Sequence, residues 1–130
     1  MCDTVLHIAS ATEHTTFVKQ VVANLTAEHL EQKNKHGYTA LCIAAESGIV
    51  TNAKAMVIEN TGLLLIRNRQ RTPLHVAASL GHRDMVLYLL SVTPFVGLNL
   101  AERMDILAAT ITYDMYGMLH ISIIEFEAIN

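Results

Sequence analysis

Three short segments of this chain are copies of one another. They begin at Thr4, Thr39 and Thr72, 35 and 33 residues apart, and read TVLHIASAT, TALCIAAESG and TPLHVAASLG. A period in this range constrains the fold more than any other feature. Each copy is a supersecondary unit too small to bury its own apolar face, so the copies must stack. Leu6, Ala9 and Ser10, then Leu41, Ala44 and Ala45, then Leu74, Ala77 and Ala78 recur at i, i+3 and i+4 and share one helical face. The threonine ahead of each run supplies a hydroxyl for the free N–H groups of the first turn, and the fixed φ of Pro73 suits that turn. Gly48 and Gly81 stand where a left-handed residue ends a helix, and Glu13 takes that place in the first copy. A second apolar stripe follows in phase: Val18, Val21 and Val22; Ala53, Met56 and Val57; Val86, Leu89 and Leu90. The pattern predicts pairs of antiparallel helices, the first of each pair lined with alanine so that a neighbour can come close.

The segment at Thr72 carries T-P-L-H-x-A through Thr72, Pro73, Leu74, His75 and Ala77. The copy at Thr4 keeps Leu6, His7 and Ala9, and the copy at Thr39 keeps Leu41 and Ala44. On these residues the chain resembles the ankyrin-repeat family. The resemblance implies an all-α solenoid in which a hairpin-like loop precedes each helix pair, with loop tips and inner helices on the concave side. The repeats are expected at about 3–25, 38–60 and 71–91. A degenerate fourth helix pair at 98–123 is expected to act as a cap, its inner helix carried by Leu107, Ala108, Thr110 and Ile111 and its outer one by Met115, Met118 and Leu119. The ankyrin-repeat domain then covers 1–123, and the strand-like tail 124–130 stands apart. The stretch AERMDILAATITYDMYGML, and the AEHLEQKN lead into G-x-T-A-L, are also similar to a plant ankyrin family whose longer members carry a membrane domain called PGG. That likeness implies a truncated cytosolic regulatory segment in stress or defence signalling as the alternative reading.

Two linkers join the copies. Thr26–Tyr38 reaches Gly37, where a turn needs positive φ. Asn60–Arg71 has Gly62, expected to end the second outer helix, and Gln70 where the turn glycine would fall, which predicts an irregular turn. Leu63 to Ile66 form the most apolar short run and are expected beneath the next repeat. Thr93-Pro94 reads as a proline placed past a helix end.

Composition narrows function. The hydrophobic fraction is 52% with 16% charged residues, which excludes a disordered chain. The net charge of −3 offers no general attraction for nucleic acid. Two cysteines in unlike contexts, Cys2 and Cys42, are too few for a disulfide framework and fit a reducing, cytoplasmic setting. No apolar run is long enough to span a membrane, and the first residues lack the basic n-region of a secretion signal.

The chemistry-bearing residues read as structure. Seven histidines occur without metal-ligand spacing, so no metal or cofactor is expected. The resemblance gives His7 and His75 a structural task, tying a helix start to neighbouring loop backbone. Cys42 occupies the motif histidine position and is expected to be a buried, inert thiol. No nucleophile elbow or phosphate-cradling loop is present, so no catalysis is assigned. One feature rises above background. Five of the nine Lys and Arg residues, Lys33, Lys35, Arg67, Arg69 and Arg71, fall with His36 in two equivalent loop tips. A protein partner with an acidic face, or anionic lipid head groups, is expected to dock there, with Tyr38 as an aromatic anchor. In the first copy Leu6, Ile8 and Val18 are expected to face solvent, which points either to a longer array of repeats or to self-association through that repeat.

Overall fold

The computed structural model describes residues 4–113. Helix α1 (Val5–Ser10), α4 (Ala40–Ser47) and α6 (Pro73–Ser79) are the inner helices, and α2 (Thr15–Ala23), α5 (Val50–Glu59) and α7 (Arg83–Val92) the outer ones. A single turn, α3 (Ala27–Leu30), sits in the first linker, and α8 (Leu100–Thr112) follows the third repeat. The inner helices stack in the order α1, α4, α6, α8, and the outer ones in the order α2, α5, α7. This is the all-α ankyrin solenoid, and α8 takes the inner-helix place of a fourth unit. The second helix expected for that unit, at Met115, Met118 and Leu119, and the tail 124–130 lie outside the described residues.

Each inner helix starts in the same way. Thr4, Thr39 and Thr72 are extended N-caps whose hydroxyls accept from the backbone N–H of His7, Cys42 and His75 at 3.3, 3.2 and 3.3 Å. Such a cap is worth about 1 kcal/mol. Leu41, Ala44, Ala45, Leu74, Ala77 and Ala78 are sealed from solvent, so the alanine face is the contact between repeats. Full burial of a leucine such as Leu41 or Leu74 contributes roughly 1.5–3 kcal/mol. The methyl-sized neighbours allow that burial, because nothing longer separates the helices.

The stop glycines have a second role. Gly48 and Gly81 are both at φ +76°, and each is covered by a ring from the next unit. A Cβ on Gly48 would lie 2.8 Å from the His82 ring, and one on Gly81 would lie 2.7 Å from the Tyr113 ring. The rings are anchored two residues earlier: His82 Nε2 is 2.8 Å from Glu46 O, and the Tyr113 hydroxyl donates to Ser79 O at 3.0 Å. The first copy lacks the glycine, and a side chain replaces it. Buried Asn52 on α5 donates to Ser10 O (3.2 Å) and Thr12 O (2.7 Å) and accepts from the Thr15 hydroxyl.

Four expectations need correction. Gly62 does not end α5; the helix stops at Glu59, and Asn60 caps a 3-10 turn (Thr61–Leu65) by accepting from the N–H of Gly62. That turn buries Leu63 and Leu64, as the apolar run predicts. The turn at Gln70 is regular: Asn68 and Arg71 exchange two backbone hydrogen bonds (2.7 and 3.2 Å), with Arg69 at φ +53° and Gln70 at φ +68°. This is a two-residue primed hairpin loop made without glycine. In α8, Ile106 and Thr110 face the stack, whereas Ala108 and Ile111 are exposed. In the first repeat Leu6 and Val18 are buried between helices; of the expected solvent-facing set only Ile8 is open, at 63%, joined by Val5 and Phe17.

Candidate partner-binding surface

The two loop tips lie side by side and are tied together. In the first, Asn34 Oδ1 accepts from the N–H of His36 and of Tyr38, both at 3.0 Å, and Gly37 turns at φ +84°. The second is the Asn68–Arg71 hairpin. Asn68 Oδ1 accepts from the N–H of Thr39 at 2.7 Å, and Asn68 Nδ2 donates to Ile66 O. A buried amide thus fixes the second tip against the start of α4. Arg69 then crosses between the tips: its Nε donates to His36 O at 3.0 Å and its guanidinium lies 5.6 Å from the centre of the Tyr38 ring.

The basic residues do not all face outward. Arg67 turns into the stack, where it holds Glu102 on α8 through two nitrogens (2.7 and 3.1 Å) and also donates to Gly97 O. Glu102 in turn accepts from the N–H of Asn99 and closes the capping box of α8. Burial pushes the Glu102 carboxyl up, but the hydrogen bond from Arg67, the Asn99 N–H and the Arg67 charge outweigh it and hold the group below the usual range. Lys33 donates to Arg67 O at 2.9 Å. Lys35, His36 and Arg69 are exposed, Tyr38 and Arg71 half-buried. Neither Arg69 nor Arg71 has a carboxylate within ion-pair distance among the described residues.

Arg71 points along α6, where its Nη2 donates to the hydroxyl of Ser79. Between the second tip and helices α4 and α6 lies a cleft of about 390 Å³ walled by Tyr38, Glu46, Arg69, Arg71, Ser79 and Leu80. Glu46, Ser79 and Leu80 were not among the expected site residues. The signal was available: Glu46 and Ser79 each follow an Ala-Ala pair, 33 residues apart, and are the polar positions where that helix face meets the loops.

His7 bridges the start of α1 to the first linker. Its Nε2 lies 3.1 Å from Gln32 O and 3.0 Å from Tyr38 O, and its Nδ1 2.6 Å from the Thr4 hydroxyl. Carbonyl oxygens only accept, so the proton sits on Nε2. His75 departs from that role. Among the described residues no hairpin tip follows the third repeat and the buried His75 Nδ1 has no partner, while His75 Nε2 faces Asp105 at 3.6 Å. Burial, then Arg71, pull His75 below its ordinary pKa against the opposing effect of Asp105 and Glu102. Burial, then the Glu46 carboxylate, push the Cys42 thiol up to about 12, so it is not a nucleophile at neutral pH. Among the described residues no His, Cys, Asp and Glu side chains gather as a metal site, and no helix is long and apolar enough to cross a membrane.

At the opposite end, a mostly apolar groove of about 220 Å³ runs between α1 and α2, walled by Val5, Ile8 and Phe17. Their counterparts in the next repeat include Ala40 and Asn52, which α1 and α2 cover.

The comparisons with known proteins agree with this geometry. The family model described as ankyrin repeats (3 copies) matches residues 6–100. The chain is 29% identical over 89 residues, 68% of its length, to the ankyrin repeat and KH domain-containing protein mask-1 of Caenorhabditis elegans. It is 30% identical over 87 residues, 67% of its length, to the ankyrin repeat and KH domain-containing protein CBG24701 of Caenorhabditis briggsae. The matched segment is 3% of each relative. With three motif copies, stacked inner helices and a family match over most of its length, the chain belongs to the ankyrin-repeat family.

Proposed function

We propose that this chain is a non-catalytic protein-interaction module whose partner presents an acidic segment to the ledge formed by the two loop tips. The observation that carries the reading is Arg69. It is held across both tips by His36 O and the Tyr38 ring, yet no carboxylate of the described residues lies within ion-pair distance of it. With Lys35, His36 and Arg71 it forms a rigid basic strip on a net-acidic protein. Ordered cations attract an acidic partner and lose little freedom on binding. Arg67 and Lys33 support the strip from behind. The test is titration calorimetry with a capped Glu-rich peptide, at low and high salt, on wild type and Arg69→Glu. Binding that weakens with salt and disappears in the variant supports the reading. Equal binding by a folded Arg69→Glu variant would refute it.

Self-association through the first repeat is a second reading, favoured by the exposed Val5, Ile8 and Phe17 groove. Sedimentation velocity on wild type and Phe17→Ser separates a dimer held there from a monomer. The two cysteines favour a cytoplasmic setting. The plant regulatory-segment alternative rests on the likeness of residues 101–119 and of the lead at 27–41, and the nematode relatives lend it no support; sequencing the full transcript tests it.

A further inference from the structure

We infer that the cleft beside the second tip is a subsite for one carboxylate side chain followed by an apolar residue on the partner peptide, and that Glu46 discriminates against a phosphorylated equivalent. This rests on the docking reading above and names what the docked segment carries.

Arg71 is held by one nitrogen. Its Nη2 donates to the Ser79 hydroxyl, which itself donates to Val76 O, and Arg71 makes no other side-chain hydrogen bond among the described residues. Among the described residues Arg69 is likewise held only through Nε, with its ring contact to Tyr38. A guanidinium has five N–H donors in a planar fork, so each arginine keeps donors directed away from its anchor. A carboxylate takes such forks through two oxygens. The anchors fix the forks in advance, so little side-chain freedom is lost on binding.

The charge of the cleft sets the ligand's charge. In the lining of the cleft Arg69 and Arg71 bring two positive charges and Glu46 one negative. The net of one matches a single carboxylate. A phosphoserine carries about −1.5 to −2 at neutral pH, so its second charge faces Glu46 without compensation. Leu80 at the end of α6, 48% exposed and also lining the cleft, offers the peptide's next residue an apolar seat. The left-handed Arg69 and Gln70 keep the tip in its single tight turn, which aims both arginines at one cleft.

The test uses capped hexapeptide libraries with randomised flanks and fixed central pairs: Glu-Leu, phosphoserine-Leu, Gln-Leu and Glu-Ser. Binding is read from amide resonances of nitrogen-15-labelled protein. The inference predicts that Glu-Leu moves the amides of Arg71, Ser79 and Leu80 and outbinds both phosphoserine-Leu and Gln-Leu. Glu46→Gln should raise phosphoserine-Leu affinity about two- to fivefold, the scale of one exposed charge pair. Leu80→Ser should weaken Glu-Leu and leave Glu-Ser unchanged. Phosphoserine-Leu bound more tightly by wild type, with Glu46→Gln silent, would overturn the inference. Acidic binding lost in Lys35→Glu but unmoved by Arg71→Ala, Glu46→Gln and Leu80→Ser would overturn the subsite and leave the docking ledge standing. No shift from either glutamate library would overturn both.

Discussion

Replacing Gln70 with glycine should stabilise this protein, although glycine usually weakens a fold. Gln70 lies at φ +68° in a two-residue hairpin loop and is exposed. A left-handed conformation costs a residue with a Cβ about 1–2 kcal/mol. Gln70→Gly removes that cost. Against it stands the greater freedom of glycine in the unfolded chain, about 0.5–1 kcal/mol. The Gln70 side chain makes no hydrogen bond among the described residues, so the net gain lies between zero and about 1.5 kcal/mol, centred on ~0.75 kcal/mol. For a chain of this size that is roughly 2–4 °C in Tm. Urea unfolding followed by far-ultraviolet circular dichroism measures it, with an unchanged m value showing that the unfolded state is comparable. The neighbouring change, Arg69→Gly, is the control. It relieves the same strain at φ +53° but loses the bond to His36 O and the contact with Tyr38, so it should gain less or lose stability. A Gln70→Gly protein less stable than wild type at constant m would refute the left-handed turn.

Gly81→Ala should cost about 1–2 kcal/mol from φ +76° alone, and more from a Cβ 2.7 Å from the Tyr113 ring; urea unfolding checks it. Asn52→Ala leaves Ser10 O and Thr12 O without their donor, at about 1–3 kcal/mol, and hydrogen exchange should quicken in α1 and α2 more than in α6 and α7. Stability should fall as pH drops below about 6.5, because His75 is held below that ordinary value when folded and the unfolded chain then binds the extra proton; the loss runs down through its folded pKa. His75→Gln should flatten that part of the urea midpoint against pH, leaving the fall at lower pH, where Glu102 with its lowered pKa takes up its proton.

The repeats, caps and stop glycines were legible because each is a local rule. A hydroxyl three residues before an N–H, or a left-handed residue after a helix, needs no knowledge of neighbours. What was misread depends on neighbours. The repeat pattern read by itself puts Leu6 and Val18 in solvent, whereas their face meets α4 and α5. Gly62 was assigned a stop that the Asn60 side chain accomplishes without a left-handed residue. The second tip was expected to be irregular because Gln70 replaces glycine. Asn68 Oδ1 on Thr39 N–H supplies by tertiary contact the fixation that local propensity lacks. Of the basic residues, only a structure separates Arg67, turned to Glu102, from Arg69, turned to the tips.

The central claim is that partners dock on the tip ledge and inner-helix face. Amide-shift mapping during titration with a capped Glu-rich peptide tests it most directly. The account predicts that perturbed amides gather at residues 34–38, 68–71 and 76–80, and that they return toward their free positions as salt is raised. Perturbations gathered instead on the outer helices α2, α5 and α7 would contradict it.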